Sequence, residues 1–179
     1  MKLFKSPITL FLAGFLSLGV ASGINAQKSQ PAPTVVGIAM DNEVFSTLVT
    51  AVKAADLVTT LNGEGPFTVF APTNDAFGKL ADGTVETLLK PENKPSLAGI
   101  LTYHVVAGEF MAADVVSAIK ANDNAFEVET VQGSSLTLSL LDGAVILTDV
   151  NGNSSKVTAT DVRASNGVIH VIDTVVLPE

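Results

Sequence analysis

Residues 136–172, LTLSLLDGAVILTDVNGNSSKVTATDVRASNGVIHVI, carry the pattern that decides the fold. Leu136, Leu138 and Leu140 alternate with Thr137 and Ser139, the period-two rhythm of a half-buried strand. Asp142-Gly143 is a strong two-residue turn, and Val145-Ile146-Leu147 answers it. Asn151-Gly152 makes the next turn ahead of Val157–Val162, and Asn166-Gly167 makes another ahead of Val168–Ile172. The spacing predicts an antiparallel meander. In its last strand Val168, His170 and Ile172 share one face, while Ile169, Val171 and Asp173 share the other. On this reading His170 is structural. Asp173 lies at the edge of the core and needs a hydrogen-bonding partner such as Thr73, Asn74 or His104.

Towards the N-terminus the period changes. Phe45, Leu48, Val49 and Val52 fall at helical spacing behind Asp41 or Asn42 as N-cap. Leu57, Val58 and Leu61 continue the helix until Asn62-Gly63 stops it. Gly65-Pro66 leads into a short strand, Phe67–Ala71, which Pro72 ends. Thr73 then caps a brief helix carrying Ala76, Phe77 and Leu80. Thr84–Leu89 reads as a helix opened by a threonine cap, and Ser96–Thr102 as another that runs into an apolar strand, Tyr103–Ala107. Ala112–Ala121 is a further helix. Helices in the first half and strands in the second make an α+β protein rather than a βαβ repeat. No internal repeat divides it.

The first 26 residues have the three parts of a signal peptide: Lys2 and Lys5, an apolar run from Ile8 to Val20, and a small-residue stretch ending at Ala26. The apolar run is shorter than the ~20 residues that a permanent membrane span needs. Residues 27–37 read as a flexible polar linker, and residues 38–179 as one domain. Cleavage near Ala26 makes the product secreted or periplasmic. The chain carries a net charge of −8, and the signal removes two of its lysines. That acidity argues against nucleic acid or an anionic lipid surface as partner. With no cysteine, the exported domain rests on its hydrophobic core alone.

Catalytic machinery is scarce. There is no G-x-S-x-G elbow, since Gly133-Ser134-Ser135 lacks the following glycine, and no glycine-rich phosphate loop. The two histidines, His104 and His170, have no second ligand at helical or strand spacing, so no metal site is expected. Asp149-Val150-Asn151-Gly152-Asn153 resembles the start of a calcium loop. It fails where Ser154 replaces the required glycine and Thr160 the bidentate glutamate, and reads as a turn. Asn153-Ser154-Ser155 is formally a glycosylation acceptor. His104 sits at a helix-to-strand junction in apolar sequence and reads as a core histidine bonding a backbone or carboxylate group.

Three segments go further together than singly: GPFTVFAPTNDAF at 65–77, YHVV at 103–106, and NGVIHVIDTVVLP at 166–178. In order and separation they resemble the fasciclin domain family, and in particular its secreted single-domain bacterial members, over about residues 38–179. The resemblance implies a β-wedge of two sheets packed at a steep angle, with helices from the N-terminal half on one side. It implies a non-enzymatic adhesion module, in which Tyr103 and His104 match a motif that contributes to integrin binding in animal members. Thr73, Asn74, Asp75, His170 and Asp173 belong to its structural signature. Expected partners are extracellular protein or polysaccharide. A single weak site makes a weak homo-oligomer or other clustering useful for adhesion. The alternative is a carrier of an apolar small molecule, a carotenoid or lipid, since some fasciclin proteins of photosynthetic microbes bind carotenoids; otherwise no cofactor is implied.

Overall fold

A computed structural model describes residues 32–178. The signal peptide and the first residues of the expected linker lie outside the described residues. Helical order starts earlier than the sequence reading placed it: α1 spans Val35–Met40, and the Thr34 hydroxyl caps it by accepting the Gly37 N–H at 3.2 Å. Residues 34–37 therefore fold with the domain instead of extending the linker. A 3₁₀ turn, Glu43–Phe45, follows behind an Asn42 cap.

The long helix expected up to Leu61 is divided into α2, Ser46–Ala54, and α3, Val58–Leu61. Between them Asp56 adopts φ 64°, while Leu57 N–H returns to Val52 O and Asp56 N–H to Lys53 O. This is a Schellman stop with aspartate in the left-handed position that glycine usually takes. β1 is Phe67–Pro72, α4 Asn74–Gly78 and α5 Thr84–Leu88. Thr73 caps α4 as expected, accepting the Ala76 N–H at 3.3 Å. Thr84 does not cap α5; the left-handed Gly83 precedes that helix with no side-chain cap. α6 is Lys94–Tyr103 and β2 Val105–Ala107, so Tyr103 and His104 terminate a helix rather than open a strand. α7 is Ala112–Ala121.

The meander follows: β3 Phe126–Glu129, β4 Ser135–Leu141, β5 Ala144–Thr148, β6 Ser154–Ala164 and β7 Gly167–Ile172. Asp142 and Gly143, both at positive φ, form the tight turn between the paired Leu141 and Ala144. The last hairpin is shifted by one residue from the expected turn. Ala164 pairs with Gly167, so Ser165 and Asn166 form the loop.

The seven strands run in the order β2-β1-β7-β6-β5-β4-β3, with β1 and β7 parallel and the other neighbours antiparallel. Two ladders share β6: its first residues pair with β5, and Val157–Ala164 pair with β7 through two register shifts. An isolated bridge, Val106 to Thr130, joins the two ends of the order. The fold is α+β.

Because β1 and β7 are central, both their faces are buried. Ala71 and Ile169 face one core, filled from α1, α2, α4 and α6 by residues such as Val36, Leu48, Phe77 and Leu101. Phe70 and Ile172 face a second core with Tyr103, Leu136, Leu138, Leu147 and, from α7, Val115 and Ile119. The helices of the first half thus cover one side, and α7 covers the other. Among the described residues no helix is long and apolar enough to cross a membrane.

Candidate functional site

The Tyr-His motif lies where α6 meets the C-terminal segment. Tyr103 is fully buried, and its hydroxyl donates to Ser135 O at 2.9 Å. Burial raises the phenol pKa above its ordinary value; a Val150 backbone hydrogen bond opposes the rise and the Asp149 carboxylate adds to it. His104 is 2% exposed. Its Nδ1 lies 2.8 Å from Ile100 O, which can only accept, and its Nε2 lies 3.2 Å from the Val176 N–H, which can only donate. The ring is therefore the neutral Nδ1–H tautomer. Burial lowers its pKa from 6.5 to about 4, although the Ile100 hydrogen bond works the other way.

His170 performs the same task with its nitrogens exchanged. Nε2 donates to Phe110 O at 2.8 Å and Nδ1 accepts the Asp161 N–H at 3.4 Å, while the ring packs 5.7 Å from that of Phe70. Asp161 itself, at a bulge with φ 60°, accepts the Ala112 N–H at 2.8 Å and so caps α7 from another element. The two histidines stand in separate networks, and each ties distant backbone segments together.

Asn74 links α4 to the start of α2: its oxygen accepts the Thr47 N–H at 3.0 Å and its amide donates to Glu43 O at 2.9 Å. Asp75 is exposed in the first turn of α4. Asp173 does not meet Thr73, Asn74 or His104. Its Oδ1 accepts the Lys156 N–H and the Thr174 hydroxyl, both at 3.0 Å, and Oδ2 lies 3.4 Å from Lys79 Nζ. Burial alone would raise its pKa, but these three donors together hold it below the ordinary value. The reason is topological: β6 runs beside β7 and brings Lys156 to Asp173, a pairing that the face pattern alone does not give.

Residues 43–178 match the fasciclin domain. The chain belongs to the fasciclin family. It is 50% identical to protein sll1483 of Synechocystis sp. over 97% of this chain and 93% of that protein. It is 37% identical to the transforming growth factor-beta-induced protein ig-h3 of Sus scrofa over 89% of this chain and 21% of that protein. In structure it is similar to a FAS1 domain pair from the insect cell adhesion molecule Fasciclin I, with TM-score 0.72 and 23% identity, over 82% of this chain and 51% of that chain.

The three fasciclin segments meet in space, since β1 pairs with both β2 and β7 and the Val176 N–H bonds to His104. Asn166 accepts the Val35 N–H at 2.9 Å and donates to Leu61 O and Gly63 O at 2.8 and 3.0 Å. A Cβ on Gly65 would stand 2.0 Å from Asn166 O, and one on Gly167 2.0 Å from Phe67 O. Thr68, fully buried, donates to Gly108 O at 2.7 Å and accepts the Phe110 N–H at 2.9 Å.

Asp149, 5% exposed, holds the turn that resembled a calcium loop. Its oxygens accept N–H groups from Asn151, Asn153 and Leu177, besides the Asn153 amide. The turn's aspartate-first spacing is the signal for this role, since a side-chain oxygen there reaches the N–H two residues on. The acceptor asparagine of the glycosylation sequence is thus itself bonded to Asp149. Among the described residues no group of three or more carboxylates and imidazoles is placed to hold a metal ion. The apolar space enclosed by α1, α2, β1 and His104 measures about 30 Å³. That is far below the roughly 300–1,000 Å³ of a drug-sized ligand site.

Proposed function

We propose that this protein is a secreted, non-enzymatic binding module that mediates adhesion by attaching to extracellular protein or polysaccharide. The observation that supports this reading best is where the polar side chains of the fasciclin segments are engaged. Thr68, Asn74, His104, Asn166, His170 and Asp173 all bond within the domain. Among the described residues no buried polar side-chain atom is left without a partner. A catalytic site needs such groups aimed at a reacting atom; these are aimed at the fold. Membership of the family and the likeness to domains of an insect cell adhesion molecule favour the same reading.

Tyr103 and His104 then serve binding by fixing the end of α6, the C-terminal segment and the Ser135 end of β4, rather than by touching the partner. Signal cleavage near Ala26 delivers the domain to the outside, where contact with matrix takes place. The test is retention of the mature protein, residues 27–179, on whole cells, on extracted extracellular polymer and on immobilised matrix proteins, beside an acidic control protein of equal size. Saturable retention above the control is expected; none on any surface overturns the reading. A carrier of an apolar molecule would instead bring visible absorbance or lipid with it from its source, with α1 and α2 lifted from the sheet to make room.

A further inference from the structure

The two ends of the strand order, β2 and β3, touch at one bridge and then part. Val131 N–H bonds to Val105 O at 2.7 Å and Val106 pairs with Thr130. Beyond that point residues 108–110 would continue alongside β3, but their backbone groups are taken elsewhere. Gly108 N–H goes to Pro66 O, Gly108 O and Phe110 N–H to the Thr68 hydroxyl, and Phe110 O to His170. What remains is a cleft of about 480 Å³, bordered by Ala107, Phe110 and the whole of β3.

Among the described residues, the edge of β3 in this cleft has unused pairing capacity. Thr130 N–H bonds to Ser134 O, and the Asn124 side chain brackets Leu140 through both its backbone groups. These two contacts fix the phase of the ladder: Phe126 and Val128 bond to β4, and the backbone of Glu127 and the N–H of Glu129 turn to the cleft. The side chains alternate in the same way. Val128 is buried and Phe126 half-buried, with Phe110 edge-on to Phe126 at 6.5 Å, while Glu127 and Glu129 are exposed on the other face.

We infer that this cleft takes up an extended segment of a partner protein as an added strand on β3, and that the segment alternates apolar with cationic side chains. Apolar side chains would enter beside Phe110, Phe126 and Val128, and cationic ones would stand opposite Glu127 and Glu129. Charge decides against a second copy of this chain, since two β3 edges would oppose glutamate to glutamate. The inference deepens the proposed binding function by naming its partner class and place.

The probe is a capped heptapeptide of alternating valine and lysine, titrated against the mature protein and followed by fluorescence anisotropy. Saturable binding is expected, weakened about ten-fold or more by Glu127→Lys with Glu129→Lys. The same charge change in exposed helix and turn positions, Glu86→Lys with Glu92→Lys, leaves it within about two-fold. Two further peptides carry N-methyl groups on alternate sets of amides; one set abolishes binding and the other does not. Absence of saturable binding, equal loss in the two charge variants, or equal binding of the two methylated peptides overturns the inference. If the unsubstituted mature protein is retained on matrix while the peptide fails to bind it, the added strand is wrong and the binding module stands.

Discussion

The framework around β1 and β7 and the meander of β3, β4 and β5 are both sheet, yet they are built to different rules. In the framework, backbones approach so closely that Gly65 and Gly167 have no room for a Cβ. Polar side chains there bridge segments far apart in sequence, as Asn166 does to Val35 and Leu61. In the meander, burial simply alternates along β4 and β5, and Gly133, Gly143 and Gly152 face open space. The difference teaches that the segments that define the family are the joints of the fold. On the proposed strand addition, partner binding is left to the edge of the meander.

The glycines give the widest separation. Gly65→Ala or Gly167→Ala is expected to cost more than about 4 kcal/mol, because backbone oxygen, not a movable side chain, meets the new methyl group. Gly133→Ala, at φ 98° with nothing within 4 Å, should cost roughly 1 kcal/mol. Urea unfolding midpoints for the three variants measure this, and equal losses would break the comparison.

Acid stability comes next. The folded pKa of His104 is depressed, so the neutral ring is favoured in the native state. Its contribution is complete above pH ~6.5 and is lost as pH falls towards ~4, amounting to about 3 kcal/mol. His104→Leu should be less stable at pH 7 yet show a flatter dependence of Tm on pH across that window. A wild-type profile that is already flat there would contradict the buried neutral clamp.

Asn166→Asp turns an amide that donates to two carbonyls into a carboxylate facing them, at a cost of about 2 kcal/mol. Asn151→Asp, whose amide meets Leu177 O and Pro178 O at the surface, should lose about half as much by thermal denaturation. A smaller effect belongs to Asp173, whose carboxylate is 38% exposed. Its lowered pKa adds stability above the ordinary carboxylate value that fades as pH falls through the folded one. Asp173→Asn should therefore cost at most about 1 kcal/mol at pH 7, and less as the pH falls through the folded pKa. Thr137→Val on the open face of β4 is expected to change stability by no more than about 0.5 kcal/mol.

Much of this was legible in the sequence. The alternation in β4 and the Asp142-Gly143 turn are local rules, and both strand and turn are where those rules put them. The Thr73 cap is equally local. The break after Ala54 was not legible, because Asp56 occupies a left-handed position without the glycine that usually marks it. The partners of Asp173 depended on which strand lies beside β7, and the period of a strand carries no information about its neighbour. The open edge of β3 was invisible for the same reason. It arises because Thr68 and His170, over forty residues away on either side, draw off the backbone that would have closed it.

The two ends of the described chain are fastened at opposite ends of β6. Ser165 N–H bonds to Pro33 O, and Asn166 holds Val35, just beyond Ala164. Leu177 is held by Asp149 and Asn151, just before Ser154. A tensile force applied to the termini therefore enters along the length of this strand and loads its hydrogen bonds in shear, many at once, instead of peeling them one by one. A domain anchored at one end and hauled at the other would resist through its longest strand.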